Sequence, residues 1–322
     1  MRQLKPALTL SEQVDRLVER GMIVEDRDEA LRILGEISYY RFTGYAFLFQ
    51  KENDHYHKGT SFAKIVQLIQ FDSELRNVLM DALENIEIYA RARIAHIFSL
   101  AHNRDGGAYY DPAFAYNKDF HQEFLDDLKV QISKNAQQPF VAHHINEFDG
   151  RMPLWCTVEI LPFSRLSKLY SNMLNADKDL IAANMDTDAP HLTNWLHCFS
   201  VLRNSCAHYC RLYQNVCNPS VSIDPKFYRL HKEVFVDSLF ACIFAMLRIM
   251  PRIEWKHQFR DNLFKLIEKY DKVDLKGIGF PPDWKDILLD DHNITLPAVA
   301  PEKKYISNLP PLPDSLIRYE KP

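Results

Sequence analysis

The sequence predicts an all-α fold, and three observations carry that prediction. Glycine is scarce, 9 residues in 322, against the roughly 7 % that average proteins hold; sheet proteins spend glycine on hairpins and bulges. Apolar residues recur at i, i+3 and i+4 through most of the chain, the spacing of a helix face. No stretch of useful length shows the alternation with period two that a half-buried strand needs.

The elements follow in order. Thr9 and Glu12 have capping-box spacing, and Val14, Leu17 and Val18 follow at helical intervals until Gly21 closes the segment. A second short helix is expected around Asp28–Ile37. The aromatic run Tyr39, Tyr40, Phe42, Tyr45, Phe47 and Phe49 reads as a buried loop or short helix. From Ser61 to about His102 there is neither Gly nor Pro, and Phe62, Ile65, Ile69, Leu75, Leu79, Leu83, Ile86 and Ala90 keep helical spacing. Forty residues is long for one globular helix, so a break is expected near Asp72–Ser73. Asp105-Gly106-Gly107 marks a loop.

Beyond it, Phe120, Phe124, Leu128 and Ile132 lay out another helix, and Met152-Pro153-Leu154-Trp155 opens a segment running to about Leu174. Leu192, Trp195, Leu196, Phe199, Leu202 and Cys206 trace one apolar stripe. Stretches 233–250 and 254–270 read as an antiparallel hairpin turned at Pro251. After roughly Asp290 the chain is polar and proline-spaced, as a surface tail would be. The expected organisation is an N-terminal helical segment with an aromatic-rich loop (1–58), an all-α core including the hairpin (59–290) and an extended tail (291–322).

A net charge of −4 argues against a surface coated with nucleic acid, because such proteins are usually basic, but leaves room for a local basic groove. The six cysteines form no CxxC pair and read as reduced, mostly buried thiols. MRQLKPALTLSEQ lacks the apolar core of a signal peptide, and no stretch approaches the length of a membrane span; a cytoplasmic protein away from membranes is expected. Phosphate-loop and dinucleotide glycine patterns, H-E-x-x-H and a nucleophile elbow are all absent. No cofactor and no metal are expected.

The segment LRNSCAHYCRLYQN, Leu202 to Asn215, concentrates polar chemistry. Read as a continuous helix at about 100° per residue, it places Asn204, His208 and Arg211 on one face, opposite Phe199, Leu202 and Cys206. Such residues suit phosphodiester cleavage without a metal. A neutral imidazole can take the proton of a ribose 2′-hydroxyl or give one to the leaving 5′-oxygen. A guanidinium, permanently charged, can hold a pentavalent phosphorane, and Asn can orient either. The product would be a 2′,3′-cyclic phosphate, formed on RNA only. The spacing R-x4-H carries little information alone, since Arg91/His96 and Arg252/His257 repeat it. A capping or core-edge histidine beside a surface arginine would leave the same pattern.

Glu87 and Arg91 lie at i, i+4 and read either as a helical ion pair or as part of a second R-x4-H element, Arg91/His96, facing the first. Arg93, on the apolar stripe, competes with Arg91 as the arginine that points inward. Arg252/His257, just after Pro251, reads as coincidence. Cys206, His208 and Cys210 alternate, but on one helix neighbours two apart point about 160° from each other, so structural thiols are the better reading.

Arg203-Asn204-Ser205-Cys206-Ala207-His208 resembles the R-[polar]-x3-H signature of HEPN-domain ribonucleases, and its surroundings resemble the AbiD/AbiF-type (Abi-like) abortive-infection proteins. Similar blocks run in order from about Leu8 to Trp284: SEQVDRLVERGMIV, ISYYRFTGY, FDSELRNVL, ENIEIYARARIAH, PLWCTVEILPFSRLSKLY, LRNSCAHYCRLYQN and GFPPDW. Ser164 stands where that pattern has glycine. The resemblance implies a HEPN-like helical bundle with additional N-terminal and C-terminal helices, and an endoribonuclease acting on RNA in phage defence or toxin–antitoxin control. By it, Arg203, Asn204 and His208 form the active-site signature, with Glu87, Arg91, His96 and Arg211 supporting. It also implies an RNA or protein antitoxin, and a site completed either by a homodimer or by Arg91/His96 of the same chain. The competing classes are a non-catalytic RNA-binding module and a helical scaffold or phage sensor.

Overall fold

In a computed structural model of the chain, residues 6–294 are described, apart from Glu52, Asn103 and Asp105. Among the described residues there is no sheet, only isolated bridges such as Ile23 to Ser61 and Ala115 to Met173; the all-α expectation holds. The N-terminal helices are α1 (Leu10–Glu19), α2 (Arg27–Glu36) and α3 (Tyr39–Ala46). The Thr9 hydroxyl accepts from Glu12 N while Glu12 caps back, completing the capping box. α3 is the first part of the aromatic run, Tyr39 through Tyr45. It buries Phe42 and Tyr45 but leaves Tyr40 and the following Phe47 exposed, so only two of the six aromatics of that run are fully core.

The axis of the molecule is α4 (Phe62–Ala101), one unbroken helix, about 60 Å long at 1.5 Å per residue. The break expected at Asp72–Ser73 does not occur. An Asp starts a new helix when its side chain is free to cap, and the Asp72 carboxylate is instead fully buried and occupied by Arg76, Tyr45 and a distant loop. With no Gly or Pro nearby, nothing interrupts the i→i−4 ladder.

Then come α5 (Lys118–Lys134), α6 (Pro139–Phe148), α7 (Leu154–Ile160), α8 (Phe163–Ser171), α9 (Asn175–Ala183) and α10 (Ala189–Ala207). The single segment expected from Met152 to Leu174 is split into α7 and α8 at Leu161-Pro162. Proline has no N–H to donate and disfavours helical geometry in the residue before it; Leu161 is extended, at φ −78°, ψ 135°. After α11 (Pro225–Leu230) come α12 (Leu239–Ile249) and α13 (Ile253–Lys269), separated at Met250-Pro251 as expected, but the two pack on other helices more than on each other, so the pair is not a hairpin of facing helices. Residues 233–238 are not helical, because the Ser238 side chain caps α12. α12 lies against α10 and α4, and α13 along α4.

α14 (Trp284–Leu289) and the short α15 (Asp291–Ile294) follow, so the expected tail begins with a helical turn whose Asp291 is bonded by Arg260 at 3.3 Å. The rest of that tail lies outside the described residues. No helix among the described residues is long and apolar enough to cross a membrane. The core wraps α4: Phe71, Leu75, Leu79, Leu83 and Ile86 on its inner face meet Leu192, Leu196 and Phe199 of α10 in one buried cluster. α10 is held between α4, α8, α9 and α12.

Candidate functional site

The apolar stripe of α10 fixes which way its polar residues point. With Leu192, Leu196, Phe199, Leu202 and Cys206 buried, Arg203 is half-buried and Asn204 and His208 are exposed. The helix stops within the motif. His208 is the C-cap (φ −94°, ψ 15°) and Tyr209 adopts the left-handed conformation at φ 57°. Tyr209 N donates to Cys206 O at 3.1 Å and Cys210 N to Ser205 O at 2.9 Å, the paired bonds of a Schellman stop. Glycine usually fills the left-handed position, and a tyrosine there costs about 1–2 kcal/mol.

This stop overturns one expectation. Beyond Ala207 the wheel of 100° per residue no longer applies, so Arg211 does not share the face of Asn204 and His208. It reaches away to α3, where Nη1 donates to Gly44 O.

Glu87 of α4 joins the two arginines. Arg91 Nη2 donates to Glu87 Oε1 and, at 2.7 Å, to Leu161 O. Arg203 Nε lies 3.8 Å from Glu87 Oε2, with the Arg203 side chain 41 % exposed and that of Glu87 14 %. One carboxylate between two guanidiniums leaves the cluster a net +1 charge, and Arg91 Nη1 is buried with no partner among the described residues. Arg93 points to the other side, donating to Asn184 Oδ1 at 3.1 Å.

His96 is not brought to this cluster. α4 runs opposite to the chain that passes from the end of α9 through α10 into the next loop: Arg93 meets Asn184 at the end of α9, Glu87 meets Arg203 on α10 and Arg76 meets Cys210 in the loop after it. His96 and His208 therefore lie in opposite directions from the Glu87–Arg203 level, on the order of 20 Å apart along the helices. One chain does not place both imidazoles on one phosphate. Arg252 and His257 are elsewhere, at the N-cap and in the first turns of α13, with Arg252 over the Trp255 ring.

The loop after His208 is clamped from three sides. Asp72 of α4 accepts from Leu212 N at 3.2 Å and Tyr213 N at 2.9 Å. The same carboxylate accepts from Arg76 Nη1 at 2.6 Å and Tyr45 Oη at 2.7 Å. Burial, and then the Asp72 charge, push the Tyr45 phenol up to about 12, so it stays a donor. Arg76 also donates to Cys210 O at 3.2 Å, and Arg41 of α3 to Tyr209 O at 3.1 Å. From the C-terminal side, Gln214 N donates to Gly277 O at 2.6 Å and Tyr213 Oη to Asp274 O at 2.9 Å. A Cβ on Gly277 would sit 2.1 Å from the Tyr213 ring, which only glycine allows.

Sequence reasoning missed this clamp, although a signal was present. Asp72 and Arg76 interrupt the apolar spacing Ile65, Ile69, Leu75, Leu79, and charges on a buried stripe are rarely there without partners. Among the described residues no group of three His, Cys, Asp or Glu is placed to hold a metal ion. What the arrangement offers is an exposed imidazole on a rigid C-cap, a guanidinium five residues before it, and a net positive cluster behind.

A family model described as Abi-like protein matches residues 32–214, from within α2 through the whole of α10 and its clamped loop. No curated protein and no solved structure matches the chain.

Proposed function

The chain belongs to the Abi-like protein family, which points to phage defence by abortive infection, and from that premise we propose that it acts as an endoribonuclease of the HEPN type. The observation that carries this reading is the pairing of an exposed His208, fixed by a clamped helix stop, with Arg203 on a net positive cluster. An imidazole of His208 accepts the ribose 2′-hydroxyl proton as the 2′-oxygen attacks phosphorus. The bond from phosphorus to the 5′-oxygen breaks, a second imidazole returns a proton to that oxygen, and the 3′ end becomes a 2′,3′-cyclic phosphate. Arg203 stabilises the negative charge of the phosphorane, Asn204 orients the phosphate or the ring, and no step requires a metal ion.

A second imidazole lets one ring take the 2′-hydroxyl proton while another gives a proton to the leaving oxygen in the same step, and within one chain His96 stands on the order of 20 Å from His208 along the helices. The reading therefore includes an isologous homodimer in which each copy supplies Arg203 and His208, with the protein restrained by an RNA or protein antitoxin or by an infection trigger.

The test is incubation with total RNA in EDTA followed by end-group analysis, alongside His208→Ala. The expected result is cyclic phosphate ends from the parent and none from the variant, with RNA binding retained. A parent that never cuts, and a variant that loses only binding, would make the chain a non-catalytic RNA-binding module. Indifference to RNA would leave a scaffold or sensor.

A further inference from the structure

A cavity separate from the Arg203/His208 cluster opens on the other side of α10 from Cys206. It measures about 420 Å³, inside the about 300–1,000 Å³ range of small-molecule sites, and lies among α5, α8, α10 and the segment before α5. Its walls are aromatic, with Phe114, Tyr116 and Phe120 prominent; Lys168, Arg165 and His197 stand among them as cations or potential donors, against the single carboxylate of Glu123. Tyr116 and Phe120 are 72 % and 60 % exposed, ring surface left uncovered at the mouth. Arg165 is held by Asp127 at 2.9 Å, whereas Lys168 is exposed and has no such ion pair among the described residues.

The frame is rigid. Tyr116 N donates to Asn172 O at 2.8 Å, and Asn117 and Asn172 exchange two further bonds at 2.9 Å. Deeper in, the buried His121 ring is bonded to Tyr109 O at 2.9 Å. A preformed aromatic slot with an exposed ammonium beside it fits a flat ring that carries an anionic group.

We propose that this cavity binds a nucleotide, with the base between the aromatic walls and the phosphate on Lys168 and His197. His197 and Asn204 stand at i and i+7, both exposed on one stripe of α10, and the exposed His208 caps its end, so the two histidines are about 16 Å apart along the axis. That distance is a few nucleotides of extended strand, so the ligand is either a free nucleotide or one unit of an RNA strand running along α10. The strand alternative rests on the ribonuclease reading; the free nucleotide does not.

The test titrates full-length protein with the four nucleoside 5′-monophosphates, the matching nucleosides and a 2′-O-methyl oligonucleotide that cannot be cleaved, by calorimetry. The variants are Phe120→Ala, Lys168→Gln and Ala115→Trp, the last filling the cavity. The expected result is saturable binding of at least one monophosphate, weakened tenfold or more by Phe120→Ala and Ala115→Trp. Lys168→Gln should weaken the monophosphate but not its nucleoside. Oligonucleotide affinity that falls with the same variants identifies a strand unit, and indifference of the oligonucleotide identifies a free nucleotide. Absence of monophosphate binding, or binding that none of the variants changes, overturns the proposal, and neither outcome depends on whether the protein cuts RNA.

Discussion

Replacing Asp72 by alanine tests how the motif loop is held. The carboxylate is fully buried and serves the Arg76 guanidinium at 2.6 Å, the Tyr45 hydroxyl at 2.7 Å and the amides of Leu212 and Tyr213. Its loss leaves a guanidinium with a side chain only 5 % exposed facing no counter-charge. Breaking a buried pair this way costs about 3–5 kcal/mol, and stranded amides cost about 1–3 kcal/mol each where water cannot reach them. Because the cavity left by the carboxylate admits some relaxation, a total near 4 kcal/mol is expected, a large share of the about 5–15 kcal/mol a domain possesses. Urea denaturation measures it, and hydrogen exchange at Leu212 and Tyr213 localises it. Most of the cost comes from the orphaned charge, so Asp72→Ala combined with Arg76→Met should recover at least half of the loss. A single variant within about 1 kcal/mol of the parent, or a double variant no better than the single, refutes the reasoning.

Three further outcomes are expected. Glu87→Gln keeps the shape but releases Arg203 and Arg91 from their shared anion; RNA cleavage on a defined oligonucleotide should fall several-fold in kcat, and the melting temperature should fall by several degrees because the mostly buried Arg91 loses its counter-charge. Lys256 is buried on α13, and burial, then the nearby Arg248 charge, lower its pKa to about 8 against partial opposition from Asp186 and Asp291. The unfolded chain thus binds more protons than the folded one between about pH 8 and the ordinary lysine value near 10.5, so this group makes stability rise with pH across that window. Lys256→Met should be more stable than the parent at pH 7, and the gap should narrow as pH rises from 8 to 9.5 in parallel urea titrations. Finally, adding excess His208→Ala chains to the parent should suppress cleavage through mixed dimers; activity unchanged after subunit exchange would remove the homodimer from the reading.

How far the sequence reached can be judged element by element. Thr9, Glu12 and Gly21 determined the first helix because a capping box and a glycine stop act over a few residues. The stripe from Leu192 to Cys206 determined both the helix and its buried face, since a 3.6-residue period needs no distant information. The motif residues Arg203, Asn204 and His208 were legible as candidates, as was the possibility of an ion pair between Glu87 and Arg91 at i, i+4.

Everything decided at long range was out of reach. The 40-residue α4 stays whole because Asp72 answers to amides 140 residues away, so a residue read locally as a helix start is a tertiary anchor. The stop at His208 and the departure of Arg211 toward Gly44 rest on a tyrosine in the left-handed region, a cost met by bonds from Arg41, Arg76 and Asp72 that no local pattern announces. The antiparallel lie of α4 against α10 set Glu87 beside Arg203 and carried His96 away. Local periodicity settles which residues are helical and which face is apolar; only the packing of one helix on another chooses which of the remaining polar groups meet.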